Sequence, residues 1–411
     1  MNKNNGLRFY CIDDDREMIA VIKALLESEG HSVDSNTSPT DALEQVEANP
    51  PDCILIDLMM PEKDGLELCG ELRSKEVLDD TKIIVVTGKA YEFDRKRAFN
   101  HGADGYIIKP INEMTFVNQV LRIMEDRIEL TFWGVRGTLP VTGEKSLRYG
   151  GNTPCISLEF AKGQFFIFDA GSGIKSLSDR LMAEQRRRLE AKIFISHPHW
   201  DHINALPFFV PLYMSGNEFE ILGASHGSTT MREVISAQMD DIYFPITIKE
   251  FGARVYFKDL REGEFEIDDI TINTMLLNHP GNCLGYRINY NGSSFCYITD
   301  NELYLDSDPM HNPKYVERLA KFIEGTDALV TDVTYTDEEY KTKVNWGHSC
   351  ISQVIDLADR AKVKTLYLFH HDPDQDDDAI DNKLKIATEM LKERGSKVEC
   401  LAPSEGIPFQ L

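Results

Sequence analysis

From Leu7 to about Arg127 the chain alternates short apolar runs with segments of helical spacing. The runs are Leu7–Ile12, Cys53–Ile56, Ile83–Val86 and Tyr106–Ile108, with a weaker one at His31–Asp34. Between them Met18, Val21, Ile22, Leu25 and Leu26 recur at helical intervals, as do Phe116, Val120, Leu121 and Met124. Strands that are apolar throughout, rather than alternating, are buried on both faces. The pattern predicts a five-stranded, doubly wound parallel sheet, whose site lies at the carboxyl ends of its strands.

After Arg127 the texture changes. Ile128–Trp133 reads as a strand and leads into Gly134-Val135-Arg136-Gly137. Further strands are expected at Ile156–Phe160, Phe165–Phe168, Lys192–Ile195, Ile270–Leu277, Leu284–Tyr290, Phe295–Ile298, Ala328–Thr331 and Thr365–Phe369. Helical spacing recurs near 174–189, 313–324, 350–361 and 379–394. The chain therefore divides into an α/β domain over 1–127 and a larger mixed α/β domain over 128–411. No Gly-, Pro- or Ser-rich spacer separates them, so a direct helix-to-strand connection is expected.

Composition narrows the function classes. Lys and Arg total 44 against 68 Asp and Glu, a net charge of −24. Such a field repels phosphate backbones at long range and disfavours nucleic acid as the main partner. No apolar run approaches the roughly 18 residues of a membrane span, and Met1–Tyr10 lacks a signal-peptide pattern. The eight cysteines are scattered without a C-x-x-C pair and read as reduced thiols of a cytoplasmic protein.

The first domain concentrates its chemistry at strand ends: Asp13 and Asp14, Asp57, Thr87, and Lys109-Pro110. Carboxylates converging on one rim repel each other unless a hard cation lies between them, and Mg²⁺ suits such oxygen ligands. A carboxylate held there can attack a phosphoryl donor. Lys109 would balance the phosphoryl charge, the Thr87 hydroxyl would donate to it, and Gly88 leaves room. This constellation, with Met59-Met60-Pro61, Asp64-Gly65 and Tyr106, resembles the receiver domain of two-component response regulators. The resemblance implies that Asp57 is the phosphoacceptor, Tyr106 the aromatic switch that moves with Thr87, and a cognate sensor histidine kinase the partner. Receivers often pair through their last helix and strand, so a homodimer is an open expectation.

The second domain carries His197-Pro198-His199-Trp200-Asp201-His202 directly after an apolar run. Four candidate ligands on one strand-to-helix turn can serve two cations, and imidazole with carboxylate suits Zn²⁺, Mn²⁺ or Fe. His279, Asp300, and His370 with His371 follow later strands. In that order these residues, with Asp169-Ala170-Gly171-Ser172-Gly173, resemble the metallo-β-lactamase superfamily, whose fold is an αββα sandwich. The resemblance implies that His197, His199 and His279 bind one metal and that Asp201, His202 and His370 bind a second. Asp300 would bridge them, and His371 is the alternative to His370. A histidine at position 199 argues against the oxygen and nitric oxide reductases of that superfamily, which place a Glu there.

Gly134–Gly137, Tyr149–Thr153, Gly285-Tyr286-Arg287, Thr299-Asp300 and Gly347-His348-Ser349 look most like its phosphodiesterase branch, which includes ribonuclease Z. There the histidine matching His348 contacts the scissile phosphate. Ser349 is also placed to cap the following helix. Two cations about 3.5–4 Å apart activate water and neutralise phosphoryl charge. Asp201 would orient the attacking oxygen, and His348 would stabilise the phosphoryl group or protonate the leaving oxygen. No long basic arm for RNA is present, and 231–258 reads as a pocket wall. A small, even cyclic, phosphodiester is therefore the expected substrate, with Trp200, Phe208, Phe209, Tyr213 and Phe244 as stacking candidates. A non-catalytic metal-centre sensor and a thioester-type carbonyl hydrolase are the competing readings.

Overall fold

The computed structural model describes residues 6–61, 63–184 and 188–411. The helical spacing expected over 174–189 therefore lies partly outside the described residues. Contacts divide the chain into Met1–Ile128 with Phe160–Gln164, and Glu129–Glu159 with Phe165–Leu411. Among the described residues no helix is long and apolar enough to cross a membrane.

In the first unit β1 (Arg8–Ile12), β2 (Ser32–Asn36), β3 (Cys53–Ile56), β4 (Lys82–Thr87) and β5 (Gly105–Ile108) form one parallel sheet, ordered β2-β1-β3-β4-β5. The period of two along each strand divides its apolar side chains between two cores. Tyr10, Ile12, Ile54, Ile56, Ile83 and Val85 pack on one face. Phe9, Cys11, Cys53, Leu55, Ile84 and Val86 pack on the other. Helix α1 (Arg16–Ser28) buries Ile19, Ile22 and Leu26, and Asp15 caps it by accepting from the amides of Glu17 and Met18. Helices α2 (Pro39–Ala48), α3 (Gly65–Arg73), α4 (Glu92–Asn100) and α5 (Phe116–Glu125) complete the doubly wound unit. Because every strand runs the same way, Asp13, Asp57, Thr87 and Lys109 emerge on one rim.

The second unit has two seven-stranded sheets. The first orders β11-β10-β9-β8-β7-β6-β19. It contains β6 (Glu129–Gly134), β7 (Cys155–Glu159), β8 (Phe165–Phe168), β9 (Glu190–Ile195), β10 (Glu218–Ala224), β11 (Arg254–Leu260) and the edge strand β19 (Pro408–Gln410). The second orders β12 to β18 in sequence. Its strands are β12 (Gly263–Ile267), β13 (Ile270–Leu276), β14 (Leu284–Tyr290), β15 (Ser293–Ile298), β16 (Ala328–Asp332), β17 (Thr365–Phe369) and β18 (Glu399–Leu401).

The sheets meet through an aromatic layer. Phe168 packs on Tyr286, Phe295 and Tyr297, and Phe132 on Tyr367 and Phe369. The opposite side chains of the same strands, such as Phe165 and Ile167, face α6 (Gly173–Ala183), α7 (Trp200–Ile203) and α8 (Met231–Gln238). Helices α9 (Pro313–Phe322), α11 (Ile351–Arg360) and α12 (Asp377–Glu393) cover the other sheet, and short α10 spans Asp337–Tyr340. The result is a helix–sheet–sheet–helix sandwich.

One local expectation differs: Ser349 does not cap α11, because Cys350 occupies that position and the Ser349 hydroxyl donates to the Asn301 carbonyl. Residues 231–258 hold α8 and the start of edge strand β11.

Candidate metal centre

The His197–His202 turn is held from below by one carboxylate. Asp169, past the end of β8, is wholly buried with φ 59°, a left-handed conformation uncommon outside glycine. It accepts from the Ser196 amide (2.7 Å), the Ser196 hydroxyl (2.8 Å), His202 Nδ1 (2.7 Å) and the Tyr297 hydroxyl (2.7 Å). Satisfying both oxygens with four donors offsets the cost of burying the charge. It also fixes the His202 ring, so that Nε2 faces the centre.

His279, His370 and His197 follow the same rule: one nitrogen is tied to the protein, and the other is aimed inward. His279 Nδ1 donates to the Gly347 carbonyl (2.8 Å). The Thr334 hydroxyl donates to Asp332 Oδ1 (2.6 Å) and accepts from His370 Nδ1 (3.1 Å). His197 Nδ1 lies 3.1 Å from the Ser196 hydroxyl. His199 is reversed, with Nδ1 facing His279 Nε2 at 3.1 Å. Close approach demands glycine at two points. A Cβ on Gly137 would lie 2.2 Å from His370 Cε1, and one on Gly347 would lie 2.4 Å from His279 Nδ1.

Asp300 divides these groups in two. Its Oδ2 lies 3.5 Å from His197 Nε2 and 3.6 Å from His279 Nε2. Its Oδ1 lies 3.3 Å from His202 Nε2 and 3.1 Å from His370 Nε2. Asp201 Oδ2 closes the second set, 3.4 Å from His202 Nε2 and 3.2 Å from His370 Nε2, and accepts from the Thr138 amide. Ligand atoms of His197, His199, His279 and Asp300 all lie within 4.8 Å of one another, as do those of Asp201, His202 and His370.

The donor set fits a pair of divalent cations. His197 Nε2 and His202 Nε2 are buried with no hydrogen-bond partner among the described residues, and each has its other nitrogen engaged. Burial alone would raise Asp201 and Asp300, but the surrounding imidazoles hold both carboxyls below the usual range. His370 is the strand-end histidine that joins the cluster. His371 is buried and has no hydrogen-bond partner for either ring nitrogen among the described residues; burial, then Lys383 and Arg136, pushes it well below the usual imidazole range.

His348 lies beside the second set, its ring stacked 4.9 Å from that of His370. Its Nδ1 donates to Asp332 Oδ2 at 2.8 Å. Burial opposes its protonated form, but Asp332 outweighs burial and pushes it up to about 9. Of the stacking candidates, Phe209 is fully buried in the core and so removed from that role, and Tyr213 is half-buried against that core. Trp200 and Phe208 are exposed.

Asp332 and Thr334 were not among the expected site residues, and Asp169 was singled out only as the start of the Asp169-Ala170-Gly171-Ser172-Gly173 motif, without a role. Asp332 follows the buried run Ala328–Thr331 as Asp300 follows Tyr297–Thr299, so the strand-end rule reaches it. Thr334 carries no such signal.

At the rim of the first unit Lys109 Nζ donates to Asp13 Oδ2 (2.7 Å) and Asp57 Oδ2 (3.0 Å). Burial would lower Lys109, but these two hydrogen bonds outweigh it and hold it above its ordinary value. Burial raises Asp13 against the opposing pull of Lys109. Asp13, Asp14 and Asp57 each offer an oxygen within 4.8 Å of the others. Thr87 is buried, and the Tyr106 hydroxyl donates to the Lys89 carbonyl (2.9 Å) with its ring turned inward.

Fold and site define a receiver-type α/β module followed by a sandwich with a histidine–aspartate centre. Comparison with known proteins gives the families. Residues 9–121 match the response regulator receiver domain, and residues 165–371 match the beta-lactamase superfamily domain. The chain belongs to the beta-lactamase superfamily, with a response regulator receiver domain preceding that domain.

The transcriptional regulatory protein ResD of Bacillus subtilis (strain 168) is 31% identical over 134 residues, 32% of this chain and 54% of ResD. Response regulator MprA of Mycobacterium leprae (strain TN) is 38% identical over 104 residues, 25% of this chain and 45% of MprA. The chain thus spans about half the length of these curated relatives. Among solved structures, the metallo-beta-lactamase fold protein YhfI from Bacillus subtilis covers 70% of this chain and 100% of its own, at 16% identity and TM-score 0.49. A diphosphatase of the PhnP family covers 69% and 98%, at 17% identity and TM-score 0.47. Human tRNase Z, short form, covers 68% and 98%, at 18% identity and TM-score 0.46.

Proposed function

We propose that this chain is a response regulator whose output is a dinuclear metal-dependent phosphodiesterase. Asp57 is its phosphoacceptor, a sensor histidine kinase its donor, and a small phosphodiester its substrate. The observation that carries the reading is the division of Asp300: each oxygen faces its own set of inward-aimed imidazole nitrogens. His197, His199 and His279 would hold one divalent cation, and Asp201, His202 and His370 the other. When bound, the pair activates water and neutralises charge on the phosphoryl oxygens.

The chain's own groups supply the rest. Asp201 orients the attacking water. Water oxygen bonds to phosphorus as one ester P–O bond breaks. His348, fixed by Asp332, has Nε2 free to donate to a phosphoryl oxygen or to the departing alkoxide. This placement of an imidazole donor favours a phosphodiester over a carbonyl substrate, because the two non-bridging oxygens of a diester carry negative charge throughout the reaction. In the receiver, Asp13, Asp14 and Asp57 would hold Mg²⁺, and Lys109 balances the added phosphoryl charge.

The test is elemental analysis of the purified protein with a substrate panel. About two transition-metal equivalents and turnover of bis(p-nitrophenyl) phosphate, lost in His199→Ala, are expected. Full metal occupancy with no turnover of phosphodiesters, or with turnover of thioesters alone, would overturn the reading.

A further inference from the structure

The chain has three tryptophans. Trp133 is buried, and its indole donates to the Ser157 hydroxyl. Trp200 is 83% exposed and Trp346 58%. Large aromatics normally bury most of their surface, so two bare indoles in the motifs that build one centre point to an occupant.

Trp200 falls between His199 and Asp201; Trp346 precedes Gly347 and His348. The two motifs meet at His279, whose ring lies 4.9 Å from His199 and 5.3 Å from His348 and whose Nδ1 donates to the Gly347 carbonyl. The Trp346 loop is pinned. The amides of Asn345 and Gly347 each donate to Glu302 at 2.8 Å, and the Tyr304 hydroxyl donates to Asn345 Oδ1. Lys343 Nζ sits 4.0 Å from the centre of the Trp346 ring. An ammonium over one ring face leaves the other for a flat group, and it sets a positive charge against that indole in a strongly acidic chain. A pinned backbone and a seated cation lower the entropy lost on stacking a ligand.

We propose that Trp200 and Trp346 form a stacking subsite for a planar aromatic group, a nucleobase, carried by the phosphodiester substrate. The kinetic consequence rests on the phosphodiesterase reading; the binding consequence does not. A lipid surface is the poorer occupant, because the net charge of −24 repels anionic bilayers.

Two measurements on the full-length, metal-loaded protein test the subsite. The first follows tryptophan fluorescence. Adenosine 5′-monophosphate should quench saturably and ribose 5-phosphate should not; Trp346→Leu and Trp200→Leu should each remove part of the quench. The second compares kcat/KM for a cyclic nucleotide and for an alkyl phosphodiester. Each variant should lower that preference about tenfold, chiefly through KM, the scale of one base–aromatic stack. Both side chains are exposed, so the variants fold.

Equal quenching by the two ligands, or by phosphatidylglycerol vesicles, would overturn the subsite. So would turnover of both diesters with an unchanged preference in the variants, and that result spares the phosphodiesterase reading. Base-dependent quenching in a protein that cleaves neither diester would support the subsite and sink the phosphodiesterase.

Discussion

His348 donates from Nδ1 to Asp332 Oδ2 at 2.8 Å, and Asp332 has no exposed surface. The carboxylate also accepts from the Asn301 amide and from the amide and hydroxyl of Thr334. It is therefore fixed before any substrate arrives, and it fixes the imidazole in turn. Asp332→Asn keeps the shape but weakens the hydrogen bond that sets the ring and its tautomer. His348→Ala should lower kcat by about 10²–10⁴ with bound metal unchanged. Asp332→Asn should lower kcat by a smaller factor in the same direction. Elemental analysis beside steady-state kinetics checks both. Metal lost in step with activity would instead make the pair part of the cage.

Asp169 touches no expected substrate atom, yet it takes four hydrogen bonds. It orients His202 and ties Ser196 to Tyr297 of the opposite sheet. Asp169→Asn cannot accept from every one of those donors, because its amide nitrogen has no lone pair to offer. Metal affinity should fall about 10–100-fold. Competition with a chromophoric chelator measures it, and unchanged affinity would confine Asp169 to a structural role.

The part of the site legible from sequence was the part with a local signature. His197, His199, Asp201 and His202 lie on one turn, and Asp13, Asp57 and Lys109 end runs buried on both faces. In the supporting layer Asp169 and Asp332 follow buried runs, but Thr334 had no such signature. Thr334 matters because a loop after β16 meets the loop after β17, a contact between positions far apart in sequence. Strands fell the same way. β11 and β12 are sheet-edge strands, where exposed Arg254, Lys258 and Glu264 interrupt the pattern, so no apolar run marks them. β10 is buried, but Glu218 and Glu220 break its apolar run. Ser349 was placed one residue early because the sequence shows a capping residue type but not which hydroxyl is already committed.

Lys383 makes a prediction about stability. It is wholly buried and donates to the carbonyls of Val333 (2.7 Å) and Thr334 (3.3 Å). Burial lowers its ammonium from 10.5 to about 7 against the opposing pull of Glu339 and Asp332. Between those values the unfolded chain binds more protons than the folded one, so this group adds stability as pH rises through the window. Below about 7 its penalty is complete. Lys383→Met removes the contribution. Wild type minus variant stability should therefore increase from pH 7 to pH 10, by at most about 1.4 kcal/mol per pH unit. Denaturant unfolding of both proteins in the same metal state reads the difference and cancels the shared titration of tyrosines and thiols. A difference that stays flat would place the folded amine in the charged state throughout.

The receiver pocket yields the last prediction. Lys109 bridges Asp13 and Asp57, and Tyr106 is already turned inward with its hydroxyl on the Lys89 carbonyl. A phosphoryl group on Asp57 would take Lys109 for itself and draw on the Thr87 hydroxyl, so phosphorylation would change the state of this pocket. Helix α5 ends at Glu125 and β6 begins at Glu129, which leaves little chain to absorb such a change. Beryllofluoride with Mg²⁺ should therefore alter either the turnover of the output module or the oligomeric state of the chain. Asp57→Asn should abolish that response while leaving basal turnover in place. Initial rates and sedimentation velocity, each with and without beryllofluoride, decide the matter. Identical rates and identical sedimentation in the wild type would mean that the receiver does not govern the second unit.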